Sequence, residues 1–283
     1  MRKWYKFEPV HNTPTNKTES IDQSFHQHAQ AMGGYEINEA YESSDSLFKK
    51  FYYKVHYERY ENYFRFIEKN VKKTATILSI GSGRAIVELY MREHGYDKIT
   101  CSDLMPIECI RAIKMPFIKL NILETQAPKK FDVIICLSVI YLFNNKELEI
   151  FFKNVHKSLN QNGLLILDSA GSTDSFFTHL YHEYYLYFEA IFLCILNTLR
   201  TGEKYSIKTK HFGFRRENGE IIQMAKKCGF DFCGQENYNF ETELTRSSIY
   251  LKLVKSLNFI EKPAIQLFGV RMPYVRMFKF QTR

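Results

Sequence analysis

The chain has 283 residues, 45% of them apolar and 25% charged, enough to bury a full core in one domain with additions. Six cysteines show no paired spacing suited to zinc, and Met1–Val10 holds no apolar run of the kind that opens a secretory signal, so a reducing cytosol is the expected compartment. The net charge of +8 is unevenly placed: residues 1–199 balance to zero, whereas residues 200–283 hold 16 Lys and Arg against 8 Asp and Glu. Such a basic third suits an acidic partner, whether nucleic acid, an anionic membrane surface or a phosphorylated substrate, or else it is a solvated face.

In chain order, residues 1–36 are polar, rich in Asn, Thr, Gln and His, and are expected to be irregular. His26-Gln27-His28 reads as part of that solvated stretch, and no metal site is expected. Residues 37–73 form a helical region in which Phe48, Phe51, Tyr52, Val55, Tyr60, Tyr63, Phe64 and Ile67 fall on one broad stripe at spacings of three and four. Then comes Ile77-Leu78-Ser79-Ile80-Gly81-Ser82-Gly83-Arg84, followed about twenty residues on by Ile99-Thr100-Cys101-Ser102-Asp103. An apolar strand ends in a glycine turn, a helix begins, and a second strand ends on a carboxylate. Glycine lets backbone approach a ligand with no Cβ in the way, and a carboxylate accepts two hydrogen bonds from ribose hydroxyls. A dinucleotide fingerprint needs a small residue three places after the second glycine, where this chain has Ile86.

The alternation continues as strand 76–81, helix 84–94, strand 98–103, helix 106–114, strand 116–120, strand 131–137, helix 145–159 and strand 163–168. It predicts a mainly parallel sheet with helices on both faces and a ligand site beyond the carboxyl ends of the strands. Phe176–Leu199 has the length of a membrane span, but His179, His182, Glu183 and Glu189 interrupt it. A charge near mid-bilayer costs roughly 2.5–3.5 kcal/mol, so a helical cover over the site, or an interfacial helix ahead of Arg200, Lys204, Lys208 and Lys210, fits better. Glu217–Lys227 reads as a helix closed by Cys228-Gly229, with strands over Phe230–Tyr238 and Ser247–Lys255 and a basic, apolar tail from Phe259 to Arg283. That tail either packs on the domain or meets a partner or membrane, packing being the favoured reading.

Gly81-Ser82-Gly83-Arg84-Ala85 resembles the first motif of class I S-adenosylmethionine-dependent methyltransferases, and the resemblance continues in order over roughly residues 74–170. Asp103 matches the acidic ribose ligand, with Leu104 and Met105 as apolar neighbours of the adenine. Asn121-Ile122 is similar to the position that bonds the adenine amino group, and Phe131–Ser138 resembles the fourth strand and the loop beneath the sulfonium, which brings in Leu137 and Ser138. Leu159–Leu167 resembles the turn into the fifth strand. The chain departs from the pattern at Ser79, where the family usually has a carboxylate that helps to hold the methionine ammonium; either Glu88, one turn into the helix, or the N-terminal segment compensates, or cofactor affinity is modest. It departs again at Ala85 for the last glycine, a mild change if the helix has already begun there.

The resemblance implies an α/β, Rossmann-like, doubly wound and mostly parallel seven-stranded sheet with an antiparallel last strand. N-terminal helices precede it, and a helical cover is inserted after the fifth strand. The corresponding division is residues 1–36, 37–73, a domain over 74–256 with an insertion at 174–200, and an extension over 257–283. S-adenosyl-L-methionine is the implied cofactor, held by Ser79, Gly81, Ser82, Gly83, Asp103, Leu104, Met105, Asn121, Ile122, Leu137 and Ser138. For a hydroxyl acceptor a base would help, and His179, His182 and His211 have suitable chemistry. The place after the fourth strand holds Leu137-Ser138-Val139-Ile140-Tyr141, with no proline to shape a base-amino methylation loop, so nucleic acid is the less favoured partner. The high aromatic content and the basic end favour O-methylation of a small molecule, saccharide or lipid-linked acceptor, including phosphorylated ones, with peripheral contact to an anionic membrane as a further expectation. An RNA-directed enzyme and a non-catalytic methyltransferase-like binding protein stay open, as does the oligomeric state.

Overall fold

The computed structural model describes residues 2–11, 55–104, 114–170, 184–239 and 273–283. Its centre is a seven-stranded sheet. The parallel strands β2 (Ile77–Ile80), β3 (Ile99–Asp103), β4 (Phe117–Lys119), β5 (Phe131–Cys136) and β6 (Leu159–Ala170) are followed by β8 (Phe230–Asn239) and β9 (Pro273–Thr282), in the order β4-β3-β2-β5-β6-β9-β8. Strand β9 runs antiparallel to both of its neighbours, β6 and β8.

The sequence dictates this layering through a period of two with both faces apolar. In β2 and β5, Ile77, Val133 and Ile135 face one side and pack with Tyr63, Phe64 and Ile67 of helix α1 (Val55–Asn70) and with Ile86 and Leu89 of α2 (Ile86–Glu93). Leu78, Ile80, Ile134 and Cys136 face the other side, onto Leu148, Phe151, Phe152 and Val155 of α3 (Asn145–Ser158) and Ile221 and Ala225 of α5 (Asn218–Lys227). Helix α3 starts where Asn144 Oδ1 accepts from the backbone of Lys146 and Glu147 while the Glu147 carboxylate accepts from Asn144 N–H, a complete capping box.

Two regions differ from the sequence expectation. The first is residues 2–11, expected to be irregular, which form strand β1 (Arg2–His11) and pair antiparallel with β7 (Tyr205–Arg215) in a separate two-stranded ribbon. The polar run from Asn12 onwards dominates the composition of this segment, whereas Trp4, Tyr5, Phe7 and Val10 are strand-forming residue types whose partner lies about 200 residues away. The second is the tail, expected to pack on the domain as an extension beyond the sheet and not as one of its strands. Its residues 273–282 supply β9, with Met277, Phe278 and Phe280 fully buried, and thereby join β6 to β8. The strand expected over Ser247–Lys255 and the helix expected over 106–114, apart from Lys114, lie outside the described residues.

The cover segment provides helix α4 (Leu186–Thr201), which ends at Gly202 in a left-handed conformation. Helix α4 lies on the ribbon, where Phe7 of β1 meets Tyr187 edge-on with ring centroids 5.3 Å apart. The ribbon in turn is fastened to the segment after β5. Phe212 stacks on Tyr141, centroids 5.2 Å apart. The buried Arg216 donates to the carbonyls of Ile140 (3.3 Å) and Phe143 and to Asn145 Oδ1 (3.3 Å). Burial lowers the Arg216 guanidinium to about 10, still cationic at neutral pH, with Glu220 and Glu147 opposing the shift.

Candidate functional site

The carboxyl ends of β2, β3, β5 and β6 meet at one edge of the sheet. After β2 the backbone passes through left-handed conformations at Gly81 (φ 68°) and Gly83 (φ 52°). These two glycines have different reasons. A Cβ on Gly81 would stand 2.5 Å from Val139 Cγ2, so the residue is glycine because the segment after β5 lies against it. Among the described residues a Cβ on Gly83 would meet nothing within 4 Å, so that side of the turn is open with respect to them. Ala85 is left-handed as well, at φ 55°, because α2 begins only at Ile86. The expectation that the helix already covers Ala85 is therefore corrected: this alanine holds a glycine-like turn position at a steric cost on the order of 1 kcal/mol.

Asp103, the last residue of β3, is fixed beside that turn. Its Oδ2 accepts from Gly83 N–H at 3.0 Å and its Oδ1 from Leu104 N–H at 2.7 Å. Ser82 N–H donates to the Ser102 carbonyl at 3.0 Å, binding the turn to the end of β3. A carboxylate is the acceptor-only group suited to ribose hydroxyls, and this one stands next to the open side of Gly83. This arrangement fits a nucleoside ligand, and the Ser82, Gly83 and Ala85 N–H groups are engaged by Ser102, Asp103 and Ser82 within the protein.

Ser79 lies beneath the turn and is 4% exposed. Its hydroxyl donates to Glu88 Oε1, and its carbonyl accepts from Ser102 Oγ at 2.8 Å. Glu88, on the inner face of α2, is equally buried. Burial pushes its carboxyl up to about 7; the Ser79 hydrogen bond opposes this, and the nearby Asp103 charge adds to it. A carboxylate therefore stands where the sequence lacked one, supplied from the helix instead of the strand.

A second polar group lies at the ends of β5 and β6. Ser138, left-handed at φ 57°, donates its N–H to Asp168 Oδ1 at 2.5 Å, and Tyr63 of α1 donates its hydroxyl to Asp168 Oδ2 at 2.5 Å. Tyr63 and Ser138 are 3.4 Å apart through their hydroxyls. Asp168 is 1% exposed, and its charge, after burial, raises the Cys136 thiol well above its ordinary value. Sequence reasoning passed over Tyr63 and Asp168 as a stripe residue and a strand end. The available signal was a lone carboxylate closing an otherwise apolar strand, the same signal that marked Asp103.

The remaining expected residues divide. Leu104 borders Asp103, and Leu137 packs partly buried against the core. Asn121 spends its amide on its own turn: Oδ1 accepts from Leu123 N–H at 3.1 Å and Nδ2 donates to Glu124 at 2.7 Å. Ile122 is a core residue, 4% exposed. His211 lies in the ribbon between the rings of Tyr5 and Phe214. Met105, His179 and His182 lie outside the described residues. Among the described residues no group of His, Cys, Asp and Glu is arranged to hold a metal ion.

Comparison with known proteins matches residues 54–230 to a family model described as a methyltransferase domain. Several solved structures are similar. Magnesium protoporphyrin IX methyltransferase from Synechocystis PCC 6803 with bound SAH aligns at 12% identity and TM-score 0.48, covering 81% of this chain and 84% of that one. The N-methyltransferase NodS from Bradyrhizobium japonicum WM9, in complex with S-adenosyl-L-homocysteine, aligns at 13% identity and TM-score 0.46, covering 81% and 88%. A SAM-dependent methyltransferase from Methanosarcina mazei aligns at 14% identity and TM-score 0.48, covering 77% and 96%. No curated protein matches the chain.

Proposed function

The chain belongs to the methyltransferase-domain family, and on that premise we propose that it transfers a methyl group from S-adenosyl-L-methionine to a small-molecule acceptor at the carboxyl edge of the sheet. The observation that carries this reading is Asp103, fixed by Gly83 N–H beside the open side of the glycine turn. Bound S-adenosyl-L-methionine supplies a methyl group already activated on a sulfonium, so the protein's task is chiefly to place the acceptor in line with it. In this reading Asp103 receives the ribose hydroxyls, Gly81, Ser82 and Gly83 line the methionine side, and the Ser79–Glu88 pair provides the anion for the ammonium group. Ser138, held by Asp168 and Tyr63, sets the floor on the acceptor side.

The ribbon of β1 and β7, fastened through Tyr141 and Arg216 to the segment after β5, brings aromatic rings beside the end of that strand, which supports an acceptor of modest size over a long polymer. We infer O-methylation of a small molecule, saccharide or lipid-linked compound, phosphorylated species included. The proton of a hydroxyl acceptor leaves to a histidine, His179 or His182 of the cover or His211 of the ribbon, and of these the described residues contain His211. Incubation with methyl-labelled S-adenosyl-L-methionine and separate small-molecule, lipid and RNA fractions tests the reading. Label on a hydroxyl of a small or lipid-linked compound is expected, and label confined to RNA would overturn it.

A further inference from the structure

Helix α4 has an inverted pattern. Its small residues Ala190 and Cys194 are buried towards the ribbon, at 2% and 8% exposure. Its large apolar residues point outwards: Phe188 (62% exposed), Phe192 (51%), Ile195 (55%) and Leu199 (78%) follow one another at i, i+4, i+7 and i+11 on a single face. Tyr184, also exposed, stands at the N-terminal end of that face, Tyr187 flanks it where it meets Phe7 of the ribbon, and from Phe188 to Leu199 the only charged residue is Glu189. Burying such side chains is worth far more than the packing that α4 obtains from its small residues, so a contiguous apolar stripe of this kind marks an interaction surface.

Charge identifies the partner. Beyond the stripe come Arg200, Lys204 and Lys208, all exposed, and they open the third of the chain that carries its whole positive excess. Sixteen residues at 1.5 Å rise give a helix of about 24 Å, and no helix among the described residues is long and apolar enough to cross a membrane. Aromatic and aliphatic side chains on one face, tyrosines at the rim and lysine and arginine beyond the end are the physical requirements for a helix lying in the plane of a bilayer interface.

We propose that the outer face of α4 seats the protein on an anionic lipid bilayer, with Phe188, Phe192, Ile195 and Leu199 entering the headgroup–acyl boundary and Arg200, Lys204 and Lys208 meeting lipid phosphates. The inference stands apart from the methyl-transfer reading and holds whatever the acceptor. Because α4 rests on the ribbon and the ribbon is fastened to the segment after β5, docking would bring the membrane surface to that side of the protein.

The test is flotation of the full chain with vesicles of phosphatidylcholine alone and of phosphatidylcholine containing phosphatidylglycerol. The parent should float with the anionic vesicles about tenfold more strongly than with neutral ones, lose most of that binding in high salt, and lose it about tenfold in Phe188→Ser/Leu199→Ser. Arg200→Glu/Lys204→Glu should also lose anionic binding, while both variants keep the parent's melting temperature, since every substituted residue is exposed. No preference for anionic vesicles would overturn the proposal. So would a concentration-dependent dimer, seen by sedimentation and abolished by Phe188→Ser/Leu199→Ser, since the stripe would then be a self-association face.

Discussion

Replacing Glu88 by glutamine tests the Ser79–Glu88 arrangement through its pH dependence. Burial raises this carboxyl from 4.5 to about 7, so keeping it ionised inside the fold costs on the order of 3 kcal/mol relative to the unfolded chain. The sign follows from proton linkage. A carboxyl whose folded value is raised contributes most below about 4.5, and that contribution is lost as pH climbs through about 7. Glutamine does not titrate. Its carbonyl oxygen still accepts from the Ser79 hydroxyl, but its amide nitrogen must find an acceptor, which costs about 1 kcal/mol. Glu88→Gln should therefore match or fall slightly below the parent near pH 5 and exceed it by about 2 kcal/mol near pH 8. Urea denaturation of both proteins across this range, without ligand, measures the difference directly. A gap that does not change with pH, or a parent that gains on the variant as pH rises, would refute the reasoning. If the carboxylate also faces the methionine ammonium, the more stable variant should bind S-adenosylhomocysteine about tenfold more weakly near pH 8, separating stability from affinity.

The two turn glycines should behave differently when replaced by alanine. Gly81→Ala drives a methyl group into Val139 and costs stability, about 2 kcal/mol or more in urea denaturation, along with affinity, whereas Gly83→Ala pays only left-handed strain of about 1 kcal/mol and loses affinity because its Cβ enters the ligand's side of the turn. Asp168→Asn presents an amide N–H to one of the groups that donate to it and should cost about 2–3 kcal/mol; combined with Tyr63→Phe in a double-mutant cycle, it should show coupling of at least about 0.5 kcal/mol. Phe280→Ala should cost about 3–5 kcal/mol, and a chain ending at residue 256 should show no cooperative unfolding transition, because β9 joins β6 to β8.

The parallel half of the sheet was legible in the sequence because each strand there is followed by local punctuation. Examples are the glycine turn after Ile80, the carboxylate closing Ile99–Asp103, and the polar turn before Leu164. Helix α3 was legible from the alternation of strand and helix, and α5 from the Cys228-Gly229 close at its end. Strands β1 and β9 were not, because each gains its place from a partner distant in the chain: Trp4 and Tyr5 from His211 and Gly213, Phe278 and Phe280 from Leu165, Leu167 and the residues of β8. A ten-residue strand with lysine and arginine between its apolar positions looks the same whether it pairs at a sheet's centre or lies on a surface. The candidate site divides in the same way. Asp103 and the glycines were found from a local motif. Glu88 was found only as the possible replacement for a missing neighbour. Tyr63, Ser138 and Asp168 form a group only when α1 is folded across the ends of β5 and β6.

The central claim is that the turn beside Asp103 holds the nucleoside part of S-adenosyl-L-methionine, and calorimetric titration with S-adenosylhomocysteine tests it most directly. The account predicts one site per chain with a Kd in the micromolar range, weakened about tenfold or more in a folded Asp103→Ala variant. Absence of binding by the folded parent, or equal binding by the Asp103→Ala variant, would contradict it.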